Sequence, residues 1–234
     1  MTSLSVLVPV YNEERTLKRV MAAVVEALPN SQIIYIDDGS RDASLQILKE
    51  NARPQDKVLT KENGGKGSAI RLGLEHAGGD YAVIQDADLE YDPREIMALL
   101  SYAEAHPNTA VFGSRFLRRN PNIYPLYLLG NKILTWVINM LFWSKLTDSY
   151  TCIKLFPLPL FRSFPLKARG FELEAELCAY PLKRGISVHE LPISYQPRSF
   201  AEGKKIRWQD AWKGIMTAAA IRFKKDAQSA VRHA

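Results

Sequence analysis

The sequence predicts an α/β domain with a mostly parallel central sheet flanked by helices. Through the first half of the chain, short runs rich in Val, Ile and Leu alternate with longer segments of helical periodicity. Runs such as LSVLVPV and QIIYID are apolar at nearly every position, which indicates strands buried on both faces. Regular alternation of strands and helices is typical of parallel sheets.

The individual elements follow from the same patterns. Residues 5–10, 32–37, 57–60, 80–86 and 109–114 are predicted as strands, with helices in the gaps. Residues 125–145 and 171–184 have the periodicity of helices, ISVHELPISY returns to that of a strand, and a last helix is expected over about 208–225. No Pro/Gly-rich linker or change in composition divides the 234 residues, so we predict one domain over 1–234.

Composition and charge narrow the class of protein. The net charge of +6 is concentrated in residues 203–234, which hold eight lysines and arginines against two aspartates. Such a segment suits nucleic acid, an anionic membrane or phosphorylated ligands, and charge alone does not choose among them. Cys152 and Cys178 fit no disulfide or metal framework, so we expect both to be buried and reduced. The first fifteen residues lack the pattern of a secretory leader, and we expect a cytoplasmic protein.

The segment 125–145 is unusually apolar. Its polar residues Asn131, Thr135 and Asn139 recur every four positions and form one narrow stripe. At about 1.5 Å per residue, its uncharged core over 133–144 spans about 18 Å, short of the roughly 30 Å hydrocarbon layer. The sequence leaves open whether this helix packs in the core, at a dimer interface or in the plane of a membrane. The last helix carries a similar apolar face bordered by basic residues.

Three predicted strands end in loops that carry reactive side chains: PVYNEE after the first, DDGSRD after the second and QDADLE after the fourth. Ligands of parallel sheets bind outside the carboxyl ends of the strands. We therefore expect these three loops to lie close together and to form the functional site.

The third loop gathers carboxylates at alternate positions. In an extended chain, side chains two apart point the same way, so Asp86, Asp88 and Glu90 are expected to share a face. A divalent cation removes their repulsion, and Mg²⁺ or Mn²⁺ prefers such oxygens together with substrate phosphates and water. We predict these three as metal ligands, the alternative being a solvated acidic loop. Asp92 is expected to cap a helix that begins at Pro93.

Two further segments have features of a nucleotide site. Asp38 in IDDGS offers an acceptor for a ribose hydroxyl or a base N–H, although Asp-Gly-Ser is also ordinary turn chemistry. NGGKGSAI places three glycines and Lys66 before a helix, an arrangement that lets backbone N–H groups approach a phosphate. Its spacing is neither that of a Walker A loop nor that of a dinucleotide fingerprint.

Taken in order, VPVYNEE, IDDGS, NGGKGSAI, QDADLE and FGSR resemble the family-two glycosyltransferases of the GT-A (Rossmann-like) fold. TDSYTCIKLF, GFELEAEL and PISYQPRSFAEGKKI are further similar to the dolichol-phosphate (polyprenyl-phosphate) mannosyl- and glucosyltransferase branch. The resemblance implies transfer of a sugar from a nucleotide diphosphate with inversion, using Mg²⁺ or Mn²⁺. It also implies that residues 1–115 bind the nucleotide sugar and residues 116–234 the acceptor.

The resemblance assigns roles to particular residues. With Lys66 included, the expected nucleotide-sugar site comprises Pro9, Tyr11, Glu13, Asp38, Lys66, Asp86, Ala87 and Asp88. Glu90 stands where this branch commonly has Gln. Arg115, Arg198 and Lys205 correspond to basic residues that hold donor and acceptor phosphates. The alternatives are a salt bridge at a strand end for Arg115 and a solvated cation for Lys205.

The expected mechanism is direct displacement at the anomeric carbon, with Asp88 and Arg115 helping to stabilise charge on the departing diphosphate. A lipid phosphate acceptor is already an anion and needs only positioning, whereas a hydroxyl acceptor needs a base. Asp148 is the candidate base, with Glu172 or Glu174 as substitutes, unless these residues cap a turn or face solvent.

We therefore predict a hexosyltransferase that uses a UDP- or GDP-linked hexose and acts on a polyprenyl phosphate as a peripheral protein at the cytoplasmic face of a membrane. One alternative is a soluble transferase that acts on a hydroxyl of a glycan or small glycoside. Another is a non-catalytic protein that binds nucleotide sugar or nucleic acid. Nucleic acid is not an expected partner, because the sequence lacks aromatics interleaved with a basic sheet. The apolar helix leaves a homodimer open.

Overall fold

The fold is built on one seven-stranded sheet, seen in a computed structural model that describes residues 2–120, 125–197 and 208–224, with the side chains of 125–127 and 208–210 left out. The strands are β1 Leu4–Val10, β2 Gln32–Asp37, β3 Lys57–Thr60, β4 Tyr81–Ile84, β5 Ala110–Ser114, β6 Lys154–Pro157 and β7 Val188–Pro192. The helices are α1 Leu17–Ala27, α2 Ser44–Asn51, α3 Lys66–His76, α4 Ile96–Ala105, α5 Pro125–Phe142, α6 Leu158–Arg162, α7 Glu172–Lys183 and α8 Trp208–Phe223.

The strand order is β3-β2-β1-β4-β6-β5-β7, and the sheet is mostly parallel, as predicted. The first four strands in this order run parallel, and β7 runs parallel to β5. β6 is antiparallel to both of its neighbours, β4 and β5. The predicted strands all form, although β4 ends two residues earlier than expected. β6 was not predicted, because its four residues KLFP include a lysine and a proline, which are unusual in a central strand.

Apolar periodicity explains how the layers pack. β1 is buried along nearly its whole length because β2 and β4 flank it and helices cover its faces. On α1, the buried residues Leu17, Val20, Met21 and Val24 follow the spacing of one helical face. Both cysteines are buried and free, as expected. Burial raises the pKa of the Cys178 thiol to about 12, so this thiol stays protonated at neutral pH.

The sheet places the three predicted loops at one edge. Val10 pairs with Asp37 at the ends of β1 and β2, and Leu7 pairs with Ile84 at the end of β4. Because these neighbouring strands are parallel, the segments that follow them emerge side by side. The expectation that the loops cluster is confirmed.

α5, α7 and α8 form a mutually packed group of helices. α8 approaches closely because residue 214 is a glycine: an added Cβ there would lie 1.7 Å from Tyr150 Oη and 3.8 Å from Ala175 Cβ. Among the described residues, no helix is both long enough and apolar enough to cross a bilayer.

Gly214→Ala is expected to lower the free energy of unfolding by about 1–3 kcal/mol, because the methyl group overpacks the contact between α8 and Tyr150. Gly130→Ala on α5 is the matched control, since a Cβ there meets nothing within 4 Å. This control should be neutral or stabilising by up to about 1 kcal/mol, the difference in helix propensity. Urea unfolding of both variants measures the effect. Equal stability of the two variants would contradict the close packing of α8.

Candidate active site

A cleft of about 410 Å³ opens at the carboxyl ends of β1, β2 and β4. All eight residues predicted for the nucleotide sugar line it: Pro9, Tyr11, Glu13, Asp38, Lys66, Asp86, Ala87 and Asp88. Gly170 and Phe171, from the start of α7, complete one wall and were not predicted. The structure therefore brings together residues from five separate parts of the sequence.

The acidic loop after β4 is fixed from behind by a buried glutamine. Gln85 Nε2 donates to the carbonyl oxygens of Asp86 at 3.1 Å and Tyr91 at 3.4 Å. The predicted cap is confirmed at the far end of the loop, where the Asp92 carboxylate accepts a hydrogen bond from the Arg94 N–H at 3.0 Å. These bonds hold both ends of the loop and present its middle to the cleft.

The loop does not continue as an extended strand, which corrects the prediction of three ligands on one face. Leu89 has φ +61°, a left-handed conformation that turns the chain. The Glu90 N–H folds back to Asp88 Oδ1 at 3.1 Å, and the Glu90 carboxylate accepts a hydrogen bond from Tyr195 Oη at 2.9 Å. Among the described residues, no group of three or more His, Cys, Asp or Glu side chains is arranged to hold a metal.

Asp86 and Asp88 still suit a divalent cation. Mg²⁺ is usually held by one or two protein carboxylates together with substrate phosphates and water, not by a complete protein cage. Both aspartates line the cleft, and neither needs Glu90 to supply oxygen ligands of the right kind. The donor set therefore fits Mg²⁺ or Mn²⁺ bound together with a diphosphate.

Lys66 links the acidic loop to the second half of the chain. Its Nζ lies 2.9 Å from Asp86 Oδ1, 3.1 Å from Glu174 Oε1 and 3.1 Å from Cys152 Sγ. Burial disfavours the charge on Lys66, but the neighbouring anionic groups, Asp86 foremost, outweigh it and raise the pKa of Lys66 well above its ordinary value. Lys66 is therefore a permanent cation that holds Asp86 in place.

A second buried lysine extends this arrangement. Lys154 is fully buried on β6, and its ammonium contacts the Glu174 carboxylate. Burial opposes the charge on Lys154, yet Glu174 more than compensates and raises the pKa of Lys154. The four side chains Lys154, Glu174, Lys66 and Asp86 thus alternate in charge, and we call them the charge chain. The expectation of a solvated helix face is wrong for Glu174, which is buried.

Sequence reasoning did not find the pairing of Glu174 with Lys154. The available signal was a lysine inside the apolar run IKLF, since a lysine in a buried strand requires an anionic partner. Glu174 in GFELEAEL was noted only as a substitute base, because its distance in sequence from Lys66 and Lys154 hides their contact.

The glycine-rich segment uses its N–H groups within the fold. The Asp38 carboxylate accepts hydrogen bonds from the Gly64 N–H at 3.0 Å and the Gly65 N–H at 2.7 Å. Lys61 Nζ lies 2.8 Å from the same carboxylate. The expectation that these two N–H groups approach a phosphate is therefore corrected, because Asp38 takes the place of the anion.

Close backbone packing explains two of the glycines. An added Cβ would lie 2.2 Å from the Arg169 carbonyl oxygen at Gly65 and 2.1 Å from that of Ala168 at Gly67. Gly65 also has φ +85°, which side-chain-bearing residues rarely adopt. These contacts dock the start of α3 against the segment that leads into α7, so the two walls of the cleft are joined directly.

Arg115 and Asp148 form a buried ion pair and are not among the residues that line the cleft. Arg115 Nε lies 2.6 Å from Asp148 Oδ2, its Nη2 donates to Oδ1 at 2.7 Å, and its backbone N–H donates to Oδ2 at 3.0 Å. Burial opposes the charge on Arg115, but Asp148 outweighs it and raises the pKa of Arg115 well above its ordinary value. The salt bridge considered as the alternative for Arg115 is present. The proposal of Asp148 as a base is corrected, because both of its oxygens are engaged.

The remaining predicted phosphate ligands, Arg198 and Lys205, lie outside the described residues.

Comparison with known proteins assigns the family. Residues 5–156 match the family described as Glycosyl transferase family 2, and this range contains every loop of the cleft except the start of α7. The chain belongs to glycosyl transferase family 2. Membership of this family confirms the resemblance based on the five motifs.

Two relatives of this family 2 chain point to sugar transfer. The low-salt glycan biosynthesis hexosyltransferase Agl6 of Haloferax volcanii is 26% identical over 219 residues, which are 91% of this chain and 52% of the relative. The undecaprenyl-phosphate 4-deoxy-4-formamido-L-arabinose transferase of Pseudomonas fluorescens is 41% identical over 108 residues, 43% of this chain and 32% of the relative. The aligned regions therefore span about half of one curated relative and a third of the other.

Solved structures of GT-A glycosyltransferases share the fold of this chain. Glucosyl-3-phosphoglycerate synthase from Mycobacterium tuberculosis in complex with UDP superposes with a TM-score of 0.76 at 18% identity, covering 97% of this chain and 82% of that one. The same synthase with Mn²⁺, UDP-glucose and phosphoglyceric acid gives a TM-score of 0.72 at 19% identity, covering 97% and 81%.

Arg115→Met is expected to lower the free energy of unfolding by about 3–5 kcal/mol, because it leaves Asp148 buried without its partner. Arg94→Met is the control, since the Arg94 side chain is 78% exposed and pairs with Asp92 at the surface. The control should change stability little, because exposed pairs contribute little. Urea unfolding compares the two, and an Arg115→Met protein as stable as the control would contradict the importance of the buried pair.

Proposed function

We propose that this chain transfers a hexose from a nucleotide diphosphate sugar to a polyprenyl phosphate, with inversion and with Mg²⁺ or Mn²⁺, at the cytoplasmic face of a membrane. The observation that supports the donor half is the cleft, in which Lys66 pairs with Asp86 while Asp88 and Asp38 line the same walls. The Agl6 and undecaprenyl-phosphate relatives support the hexosyl group and the acceptor, respectively. The two buried, free cysteines agree with a reducing compartment.

The three carboxylates predicted as possible bases are all engaged in other contacts, which supports an acceptor that needs no deprotonation. Asp148 is engaged by Arg115 away from the cleft, and Glu174 is held by two lysines. Glu172 Oε1 accepts hydrogen bonds from the N–H groups of Arg169 at 3.0 Å and Gly170 at 3.1 Å. Partial burial opposes the charge on Glu172, but backbone N–H groups, that of Gly170 first, outweigh it and lower the pKa of Glu172. A carboxylate with a lowered pKa is a weak base, so a phosphate acceptor suits this site better than a hydroxyl.

The cleft residues have separate tasks in this mechanism. Asp38 is held by Lys61 and two backbone N–H groups, so its carboxylate is fixed where a nucleoside hydroxyl or base N–H is expected. Asp86 and Asp88 would hold the metal, which when bound supplies positive charge to the departing diphosphate. Lys66 adds a fixed cation beside Asp86, and a preorganised charge of this kind stabilises developing negative charge without rearrangement.

The test is release of nucleoside diphosphate from a panel of UDP- and GDP-hexoses, with and without a short-chain polyprenyl phosphate and with and without Mn²⁺. Asp88→Asn is expected to reduce release by roughly a hundredfold or more, because it removes one of two carboxylates that would hold the metal. Asp92→Asn is the control: it lies in the same loop, but its carboxylate pairs with Arg94. This variant should retain release near that of the wild type.

Each outcome has a distinct meaning. Release that requires both the lipid phosphate and the divalent ion, and that Asp88→Asn removes, supports the proposal and identifies the donor. Release unaffected by the lipid phosphate contradicts the acceptor. Equal release by the Asp88→Asn and Asp92→Asn variants contradicts the metal site.

Glu172→Gln distinguishes a phosphate acceptor from a hydroxyl acceptor. Glutamine keeps an oxygen that accepts from Arg169 and Gly170 but removes the basic carboxylate, so kcat on the lipid phosphate should stay within about twofold of the wild type. If Glu172 were a general base, kcat would fall by roughly 10²–10⁴. Steady-state kinetics measure this change, and thermal unfolding checks that the variant keeps its fold.

A further inference from the structure

α5 turns its polar stripe towards the protein. The Thr135 and Ser149 hydroxyls lie 2.9 Å apart, and the Ser149 N–H donates to Thr135 Oγ1 at 3.1 Å. Asn139 Nδ2 donates to the Leu146 carbonyl at 2.8 Å, and its Oδ1 accepts from the Leu146 N–H at 2.9 Å. Thr135 and Asn139 of the polar stripe therefore make internal hydrogen bonds, and large apolar side chains lie on the outer side of the helix.

The outer side of α5 and the residue that follows it carry large apolar side chains, each at least half exposed: Leu129, Ile133, Trp136, Met140 and Trp143. They recur at the spacing of one helical face. Trp143 is 87% exposed and has φ +56°, a conformation that favours Gly or Asn after a helix. A tryptophan at this position gains nothing from packing within the described part of the chain.

α8 packs beside α5 and is exposed in the same way, through Trp212, Met216 and Phe223. We call these eight side chains the apolar face. Soluble monomers rarely expose contiguous apolar patches larger than a few hundred Å², and these two packed helices carry eight large apolar side chains at half exposure or more. The apolar face therefore indicates contact with a non-aqueous partner.

The charge around the apolar face indicates which partner. Lys132 and Lys145 lie on or just beyond α5, and Lys213 and Lys224 on or just beyond α8, all four with exposed side chains. The sequences of the two helices contain one acidic residue, Asp210 in the first turn of α8. Tryptophan next to lysine, with four lysines against one acidic residue, is typical of helices that lie in the interface of an anionic membrane.

We propose that the apolar face docks on an anionic lipid surface, with α5 and α8 lying in its plane. A second copy of the chain is a weaker candidate, because a twofold contact brings the same patch against itself and places lysines near lysines. The proposal rests on the membrane location proposed above and names the surface that makes the contact, but binding itself needs neither nucleotide sugar nor turnover. The apolar side chains enter the interface to about 5–10 Å, while the lysines meet lipid head groups.

Binding of the full chain to vesicles, without nucleotide sugar, tests this proposal. Three of the four tryptophans belong to the apolar face, so a blue shift of tryptophan emission reports insertion directly. Vesicles of phosphatidylcholine with phosphatidylglycerol should bind the chain and shift its emission. Vesicles of phosphatidylcholine alone should bind it more weakly. Removing a lysine by Lys132→Gln or Lys213→Gln should lower the affinity for anionic vesicles by about fivefold at low salt.

Substitution of methionine provides a matched comparison. Met140→Gln and Met216→Gln should each weaken vesicle binding by roughly five- to tenfold, because each removes apolar area from the interface. Met97→Gln is the control, since Met97 on α4 is 46% exposed but lies outside the apolar face. It should bind as the wild type does.

Two results would overturn the proposal. One is the absence of binding and blue shift with anionic vesicles, or equal binding by the Met97, Met140 and Met216 variants. The other is a wild-type dimer in sedimentation that Met140→Gln and Met216→Gln dissociate, which would assign the apolar face to a second copy. The vesicle and sedimentation experiments contain neither sugar donor nor lipid acceptor. Either result therefore says nothing about the transfer reaction, which the release assay tests separately.

Discussion

The geometry of the cleft depends on the charge chain, in which Lys154, Glu174, Lys66 and Asp86 alternate in sign. These residues come from β6, α7, the first residue of α3 and the loop after β4, so one set of ion pairs joins four elements. Buried charges are costly unless each is paired, and removing any one member leaves its neighbour uncompensated. The position of Asp86 in the cleft is therefore coupled to residues in the second half of the sequence. A similar contact, between Asp38 and the N–H groups of Gly64 and Gly65, fixes the opposite wall.

These ion pairs fix the positions of the charged groups in the cleft before any ligand binds. Lys66 lies beside Asp86, so the wall offers a cation next to carboxylates and can accept both a metal and the phosphates that the metal binds. Arg115 has a different role. Its ion pair with Asp148 stabilises the end of β5, and the two charges neutralise each other. The chain thus separates ion pairs that maintain the fold from charged groups that face the cleft.

Much of this site was predictable from strand ends, and the errors have two causes. Parallel strands bring their carboxyl ends to one edge, so the eight predicted residues of the cleft followed from their places at the ends of the first four strands and from the family motifs. Glu90 was misplaced because the argument assumed an extended chain, whereas Leu89 turns it. The partners of Asp148, Glu174 and Gly64 come from distant segments. Periodicity reports which face of an element is apolar, but it does not report which distant side chain an ion meets.

The orientation of α5 is another feature that the sequence pattern alone did not determine. A narrow polar stripe on an apolar helix does not show which side faces the protein, so the sequence left a core position, a dimer interface and the plane of a membrane open. Here Ser149 and the backbone of Leu146 offer hydrogen-bond partners to the stripe, so the polar side turns inward and the apolar face turns outward. The sequence could not decide this orientation, since the partners of Thr135 and Asn139 follow the helix in a segment without periodicity. Once the polar groups are satisfied internally, the exposed apolar side chains remain in contact with water unless another surface covers them. A membrane that also holds a polyprenyl phosphate acceptor would cover them, and it would bring the acceptor to the same side of the molecule as these helices.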